Sequence, residues 1–423
     1  MFKKSVHNSF LKKETALLIF LYLTLLVSFV IGENSTGGAI LDYNNQKKIS
    51  ERFSIDFINT LLSYDNFTTR HSPILIIVLS FFEKINISDS LIRITHLHFC
   101  LLLPFFFYKC LQTKFENSNK NIFYFFLVLI FLSPTFRSLS IWPDSRLIGL
   151  LLFTVGVLYY LKFLNNKKFN YVLANTFFIA LSAYFSPNFS VFSIFFLIQF
   201  LLYYKVISKE CFFILVLNLV LSIPAIYYVF ILDINFMAKP AAIGIGTNEK
   251  IIFNNLFNDI LITFSIFFYY LLPFIIFKII KIYDFLNLKN IIISLIIWSV
   301  CVNYFDYVYS YSGGGIFFKA SNFLFQNNFL FYLISLIAVT IVTPLLIKNK
   351  FNFLLFILII LNNPQYTIFH KYFDPFLIIS FFTIFKFEIN IQNIFNKKNY
   401  VYIFLYFLVF LIFNNFKPSL WNI

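Results

Sequence analysis

Pro73-Ile74-Leu75-Ile76-Ile77-Val78-Leu79-Ser80-Phe81-Phe82 is the stretch on which the reading of this chain turns. It is apolar almost throughout, yet as a helix it reaches only about 15 Å, half of what the hydrocarbon core requires. If it crosses the membrane, every later loop changes side. If it lies along the membrane face as a juxtamembrane or re-entrant helix, the loops keep their side. Charge decides between the two. With the N-terminus inside and this stretch not crossing, the whole net charge of +15 falls on the inner side and the outer side is balanced. That is the asymmetry the positive-inside rule demands, and the opposite choice destroys it. The basic balance therefore reports topology. No basic stripe stands apart from the membrane flanks, so no nucleic-acid partner is expected.

Working outward, the 423 residues are 60% hydrophobic and only 12% charged, with a mean hydropathy of +0.82. Soluble domains carry about twice that charge. Apolar runs of span length recur from end to end, and backbone groups in lipid must bond within their own segment. The fold class is thus all-α: a polytopic transmembrane helix bundle, one integral membrane domain over 1–423. The alternating segments of a β-barrel are missing. About thirteen spans are predicted, at 15–32, 91–110, 121–136, 146–163, 171–185, 188–204, 210–232, 257–280, 290–305, 328–347, 351–363, 372–386 and 400–415. Several are short, broken at Ser186-Pro187-Asn188 and Asn362-Asn363-Pro364, as in bundles built around a cavity. The first span follows Lys3, Lys4, Lys12 and Lys13 without a small-residue cleavage site, which predicts an uncleaved anchor. The 65 Phe residues read as an AT-rich coding bias rather than as aromatic function. Cys100, Cys110, Cys211 and Cys301 lie in or beside spans, at neither metal nor disulfide spacing.

Three outer segments are long enough to hold a site. The first, 33–90, carries an amphipathic stretch near Ile49–Leu62, with Ile55, Ile58, Leu61 and Leu62 on one side, suited to the membrane surface. The second, 233–256, includes Gly244 and Gly246. The third, 306–327, includes Gly313-Gly314-Gly315. These glycines lack the strand, turn and trailing Lys-Ser/Thr of a nucleotide loop and read as flexible positions that help shape a lid.

Acids are few and costly near lipid, which makes those at a bundle mouth candidates for chemistry. Asp42, in Gly37-Gly38-Ala39-Ile40-Leu41-Asp42-Tyr43, reads either as a general base at the outer face or as a solvated loop acid. Arg70-His71-Ser72-Pro73 opens the short helix; Ser72 as cap and Pro73 at the first turn explain it locally, while Arg70 and His71 also suit contact with an anion. In Arg137-Ser138-Leu139-Ser140-Ile141-Trp142-Pro143-Asp144-Ser145-Arg146, Trp142 fits the interfacial belt. Arg137, Asp144 and Arg146 either pair with one another or line a polar site. His370-Lys371-Tyr372 precedes the twelfth predicted span, with Lys371 read as a phosphate contact or a snorkelling side chain. Arg93 needs a partner, and Asp89 lies one turn earlier.

Taken in order, these pieces resemble the GT-C superfamily of membrane glycosyltransferases, of the bacterial RgtA/B/C/D-like and aminoarabinose-transferase or protein O-mannosyltransferase type. The likeness rests on the basic N-terminus and first span, the acid Asp42 in the first outer loop, and His71-Ser72-Pro73-Ile74 in place of a His/Lys-Pro-Pro-Leu element. It continues through Arg93 early in the next span, Ser133-Pro134, the second acid Asp144, and Lys371-Tyr372…Pro375 late in the chain. It covers 1–190 well and the rest weakly. Asp42 is followed by Tyr rather than Glu, and His71 by Ser-Pro rather than Pro-Pro. The resemblance implies transfer of a sugar from a polyprenyl-phosphate-linked donor to an acceptor of unknown identity, at the outer face of a bacterial inner membrane. By that likeness Asp42 is the base, and Asp144 orients a substrate or helps hold a divalent cation. Lys371 stabilises the leaving lipid phosphate, with Arg70, His71, Arg137, His370 and Tyr372 as weaker candidates. A polysaccharide flippase or transporter, and an O-antigen polymerase or ligase, are the competing expectations. No internal repeat supports the former, and the loops at 233–256 and 306–327 are modest for the latter.

Overall fold

A computed structural model describes residues 2–67, 69–116, 122–205, 207–234, 255–282, 287–308, 313–363 and 367–420. Among these residues the chain is all-helical, with one isolated bridge between Ile280 and Ile389. It forms two compact units, Met1–Met237 with Lys397–Ile423, and Ala238–Asn396.

The first unit opens with α1 (Phe2–Ile31), α2 (Ala39–Ile55), α3 (Phe57–Leu62) and α4 (Pro73–Lys84). Next come α5 (Asp89–Cys100), α6 (Leu102–Lys114), α7 (Ile122–Phe131), α8 (Pro134–Ile141) and α9 (Ser145–Asn166). It continues with α10 (Phe169–Phe185), α11 (Phe192–Tyr204) and α12 (Lys209–Ile226), the last running into a π-helical turn at Tyr227–Ile231. The second unit holds α13 (Leu256–Ile276), α14 (Leu288–Asn303), α15 (Gly315–Phe325), α16 (Phe329–Ile347), α17 (Lys350–Leu361) and α18 (Phe376–Thr383). The chain then returns to the first unit as α19 (Lys397–Leu420).

Seven described helices are long and apolar enough to cross a bilayer: Asp89–Lys114, Ser145–Asn166, Pro187–Tyr204, Lys209–Ile231, Leu256–Ile276, Phe329–Ile347 and Lys398–Phe416. The pair α7–α8, bent by 62°, makes an eighth if counted as one span. The bend has a plain cause: Ser133 accepts from Phe136 N (2.9 Å) and Pro134 takes the first turn, so a new helix starts where the old one stops. Thr15–Ile31, Phe169–Phe185, Leu288–Asn303 and Lys350–Leu361 are apolar but shorter. The stretch predicted as a span at 372–386 holds only the eight-residue α18.

In α2, Ala39, Tyr43, Gln46, Ser50 and Phe53 are buried at alternating spacings of four and three, a stripe laid on Leu75, Ile76 and Leu79 of α4. Leu41, Ile55, Ile58 and Leu62 of α2–α3 stay exposed, an apolar face suited to the membrane surface. Helices α9 and α10 meet through glycines seven residues apart. A Cβ on Gly149 would lie 2.6 Å from Ser186 Cβ, and one on Gly156 2.7 Å from Ile179 Cδ1. The close approach lets Ser182 Oγ donate to Gly149 O (2.7 Å) and Asn175 Nδ2 to Gly156 O (2.8 Å).

In the second unit, Gly313-Gly314-Gly315, expected to help shape a lid, leads straight into a helix. All three have φ between +76° and +92°, Gly314 N donates to Ile368 O (2.9 Å), and α15 starts at once. Gly244 and Gly246, the other lid positions predicted, lie outside the described residues.

Candidate functional site

Asp42, His71 and Asp144, far apart in sequence, each present one ligand atom, and these atoms lie within 4.8 Å of one another. Each residue stands at a helix start. Asp42 is in the first turn of α2, which corrects its reading as a loop acid. Gly37 turns the chain at φ +79°, and Asn34 Oδ1 accepts from Ala39 N (3.0 Å) just before the helix begins. His71 immediately precedes Ser72, the cap of α4, whose hydroxyl also donates to Tyr184 O. Tyr64 donates to the His71 carbonyl (2.8 Å), and Ser145 Oγ stands 3.5 Å from its Nδ1. The cap at Ser72 and the placing of His71 are therefore one arrangement serving both sequence readings. Asp144 caps α9: its Oδ1 accepts from Arg146 N (2.7 Å). The residue is buried, and Oδ2 has no hydrogen-bond partner among the described residues. Three helix N-termini thus converge, and their backbone dipoles favour anionic groups there.

A frame of long-range contacts holds this convergence. Arg137 of α8 is 4% exposed and pairs with Glu33 just past α1, its Nη2 2.9 Å from Glu33 Oε2. Its Nε also donates to both Glu33 oxygens, and its terminal nitrogens to Thr24 Oγ1 (3.2 Å), Thr24 O (3.3 Å) and Ser28 Oγ. Arg137 is therefore an anchor between α1 and α8, a correction to its readings as a partner of Asp144 and as a phosphate contact. Ser35 Oγ donates to Pro134 O (2.8 Å), and Trp142 Nε1 to Glu33 O (2.9 Å). These bonds stitch the entry of α2 to α8 and to the turn that carries Asp144.

Arg93 stacks over Trp142, 3.6 Å from the ring centroid, and donates Nε to Ile141 O (3.2 Å). Its close partner is thus an aromatic ring rather than Asp89. Asp89 instead accepts from Tyr43 Oη (2.7 Å) and Lys47 Nζ (3.1 Å). Tyr43 meanwhile sets its ring 5.9 Å from Trp142. The residue after Asp42 thus rests on the residue two before Asp144. Burial, then the hydrogen bond to the Asp89 carboxylate, pushes the Tyr43 hydroxyl far above its ordinary range, so it acts as a donor at any physiological pH. Tyr43→Phe keeps the ring and removes that charge-assisted bond. It is expected to lower stability by about 1.5–3 kcal/mol, measured as a shift in the unfolding midpoint of the purified protein.

Gln46, one turn after Asp42, escaped the sequence reading. It is fully buried, and both polar atoms of its amide lack a hydrogen-bond partner among the described residues. Its signal is helical spacing, hidden because the amphipathic stretch in 33–90 reads as beginning only near Ile49. Glu33 escaped too, because its partner is 104 residues away.

His370, Lys371 and Tyr372 form a short 3-10 turn in the second unit. His370 Nε2 is 2.9 Å from Tyr270 Oη, Lys371 lies 5.2 Å from the Phe369 ring, and Tyr372 is buried. Arg70 is half-buried beside His71. In the first unit a largely apolar cavity of about 560 Å³ starts at Ser72, Pro73 and Ile74 and runs between α10, α11 and α12, past Ile179, Phe200 and Leu221. Ser72, the residue that follows His71, is among those that line it.

No family model, curated protein or solved structure matches this chain.

Proposed function

We propose that the chain is a GT-C-type glycosyltransferase of a bacterial inner membrane, with about thirteen spans once shorter helices and α18 count as crossings. It would move a sugar from a polyprenyl-phosphate carrier to a cell-envelope acceptor at the outer face. The observation that carries this reading is the meeting of Asp42, His71 and Asp144 at three helix starts. The acceptor hydroxyl attacks the anomeric carbon while Asp42 takes its proton. The carbon–oxygen bond to the carrier breaks, and the electron pair leaves with the lipid phosphate, inverting the configuration. Helix N-termini and cations suit that departing charge; Arg70, beside His71 in the same unit, is the candidate contact. The largely apolar cavity lined by Pro73 and Ile74 suits a lipid chain in character.

Membranes given radiolabelled polyprenyl-phosphate sugars test this. Asp42→Asn removes the base, and a general base contributes about 10²–10⁴-fold, so transfer should fall by at least 10²-fold with expression unchanged. Equal transfer by the variant would remove Asp42 from its role. Solute uptake by proteoliposomes without sugar transfer would replace the enzyme with a transporter.

A further inference from the structure

We propose that Lys350, at the start of α17, and Lys386, just past α18, form a site for the headgroup phosphate of an anionic phospholipid. The site lies wholly in the second unit and does not depend on the transferase reading.

Three segments meet here: the chain after α13, the turn between α16 and α17, and the chain after α18. The charge-based topology puts all three on the inner side. Lys281 N donates to Glu388 O (3.1 Å), and Asn390 N to Ile279 O (2.7 Å). Asn352 in the first turn of α17 is buried. Its carboxamide accepts from Lys386 N (2.8 Å) and donates to Lys386 O (3.3 Å) and Leu345 O (3.1 Å). The backbone of Lys386 is thereby held against the start of α17. The acid of the patch, Glu388, is already engaged: Lys348 Nζ lies 2.9 Å from it and Lys281 Nζ 3.8 Å. Lys350 and Lys386 have no carboxylate partner among the described residues. Both approach one ring instead, with Lys386 Nζ 4.3 Å and Lys350 Nζ 5.3 Å from the Phe351 centroid. They are close enough to repel each other. Lys350 also opens a helix, where the backbone dipole disfavours a cation. A phosphate between the two ammoniums and that helix start reverses both penalties. The rest of the face selects a lipid over a free phosphate. The exposed positions of α17 are Lys350, Phe353 and Ile357, spaced by three and four along a single stripe. A headgroup held at Lys350 therefore lays its acyl chains along two exposed apolar side chains. Basic pockets between helices on the inner side bind anionic headgroups in this way. The rival explanation is that these lysines serve topology alone, with water and mobile counterions as their only company.

The test uses the full-length protein in detergent, delipidated and then titrated with phosphatidylglycerol, with retained lipid read by native mass spectrometry. The wild type is expected to hold its first phosphatidylglycerol about 10-fold or more tighter than phosphatidylcholine of the same acyl chains. Lys350→Gln combined with Lys386→Gln should weaken that binding by about 10-fold or more. Lys350→Arg combined with Lys386→Arg keeps both charges and should retain it. Lys167→Gln combined with Lys168→Gln removes equal charge at the turn between α9 and α10 and should bind as the wild type does. Equal retention of the two lipids, or unchanged binding by the glutamine pair at 350 and 386, overturns the site and leaves the lysines to topology. An equal loss in the 167 and 168 pair overturns it as well, by tracing the effect to net charge. Displacement of the lipid by equimolar inorganic phosphate overturns the phospholipid as the occupant.

Discussion

Arg137→Ala is expected to lower folding stability by about 3–5 kcal/mol, the usual loss when one member of a buried ion pair is removed. The reason is what remains behind. Glu33 is 7% exposed and receives three of the guanidinium's bonds; without Arg137 its charge has to be neutralised or hydrated in a packed interior. The damage reaches the site, because Glu33 O also receives Trp142 Nε1 and the stitched segment leads directly into α2. Removing both partners at once should behave differently: Glu33→Leu with Arg137→Met leaves no orphaned charge and should recover most of the loss. Denaturant unfolding of the two proteins in detergent measures both. A single-variant loss below about 1 kcal/mol would place the pair among weakly contributing exposed bridges and contradict its burial.

Gly149→Ala should cost about 1–3 kcal/mol, as added methyls do in a packed interior, whereas Gly156→Ala should be nearly neutral. Both substitutions gain about 1 kcal/mol of helix propensity, so local packing decides. At Gly149 the new methyl meets Ser186 Cβ, held close to backbone, with Phe189 behind it. At Gly156 it meets the far end of the Ile179 side chain, which can rotate away. The Gly149 effect has a second reading. Five residues separate it from Asp144 on the start of α9, so a displaced helix carries the acid with it and Ser182 loses its bond to the Gly149 carbonyl. Thermal unfolding should separate the two variants, with Gly149→Ala melting lower and Gly156→Ala close to the wild type. Equal behaviour would mean that α9 and α10 yield freely along their whole contact.

Much of the site was legible in the sequence because polarity is conspicuous in an apolar chain. Asp42, His71 and Asp144 stood out one by one, and all three meet. Ser72-Pro73 announced a helix start, and α4 begins there; the span expected at 121–136 instead breaks at Ser133-Pro134, where α8 begins. What could not be read was pairing across distance. Arg137 had one acid to choose in its own segment, Asp144, yet its partner lies on the far side of a 104-residue gap. Arg93 prefers the face of Trp142 to the nearby Asp89, a choice that depends on how α5 crosses α8. Asp42 reads as a loop acid from sequence, yet Gly37 and Gly38 before it only turn the chain into α2. Segment 306–327 likewise concealed α15, since three consecutive glycines read as slack rather than as a helix start.

Asp144 has a dual allegiance: one oxygen belongs to the architecture of α9, the other faces inward. Turning the carboxylate gives up the cap of its own helix, a loss of about 0.5–2 kcal/mol. A longer acid at this position must give up either the cap or the inward reach, so glutamate is a worse replacement than asparagine, despite keeping the charge. Of the three converging groups, this one is the rigid datum, and adjustment to whatever enters between them falls to Asp42 and His71.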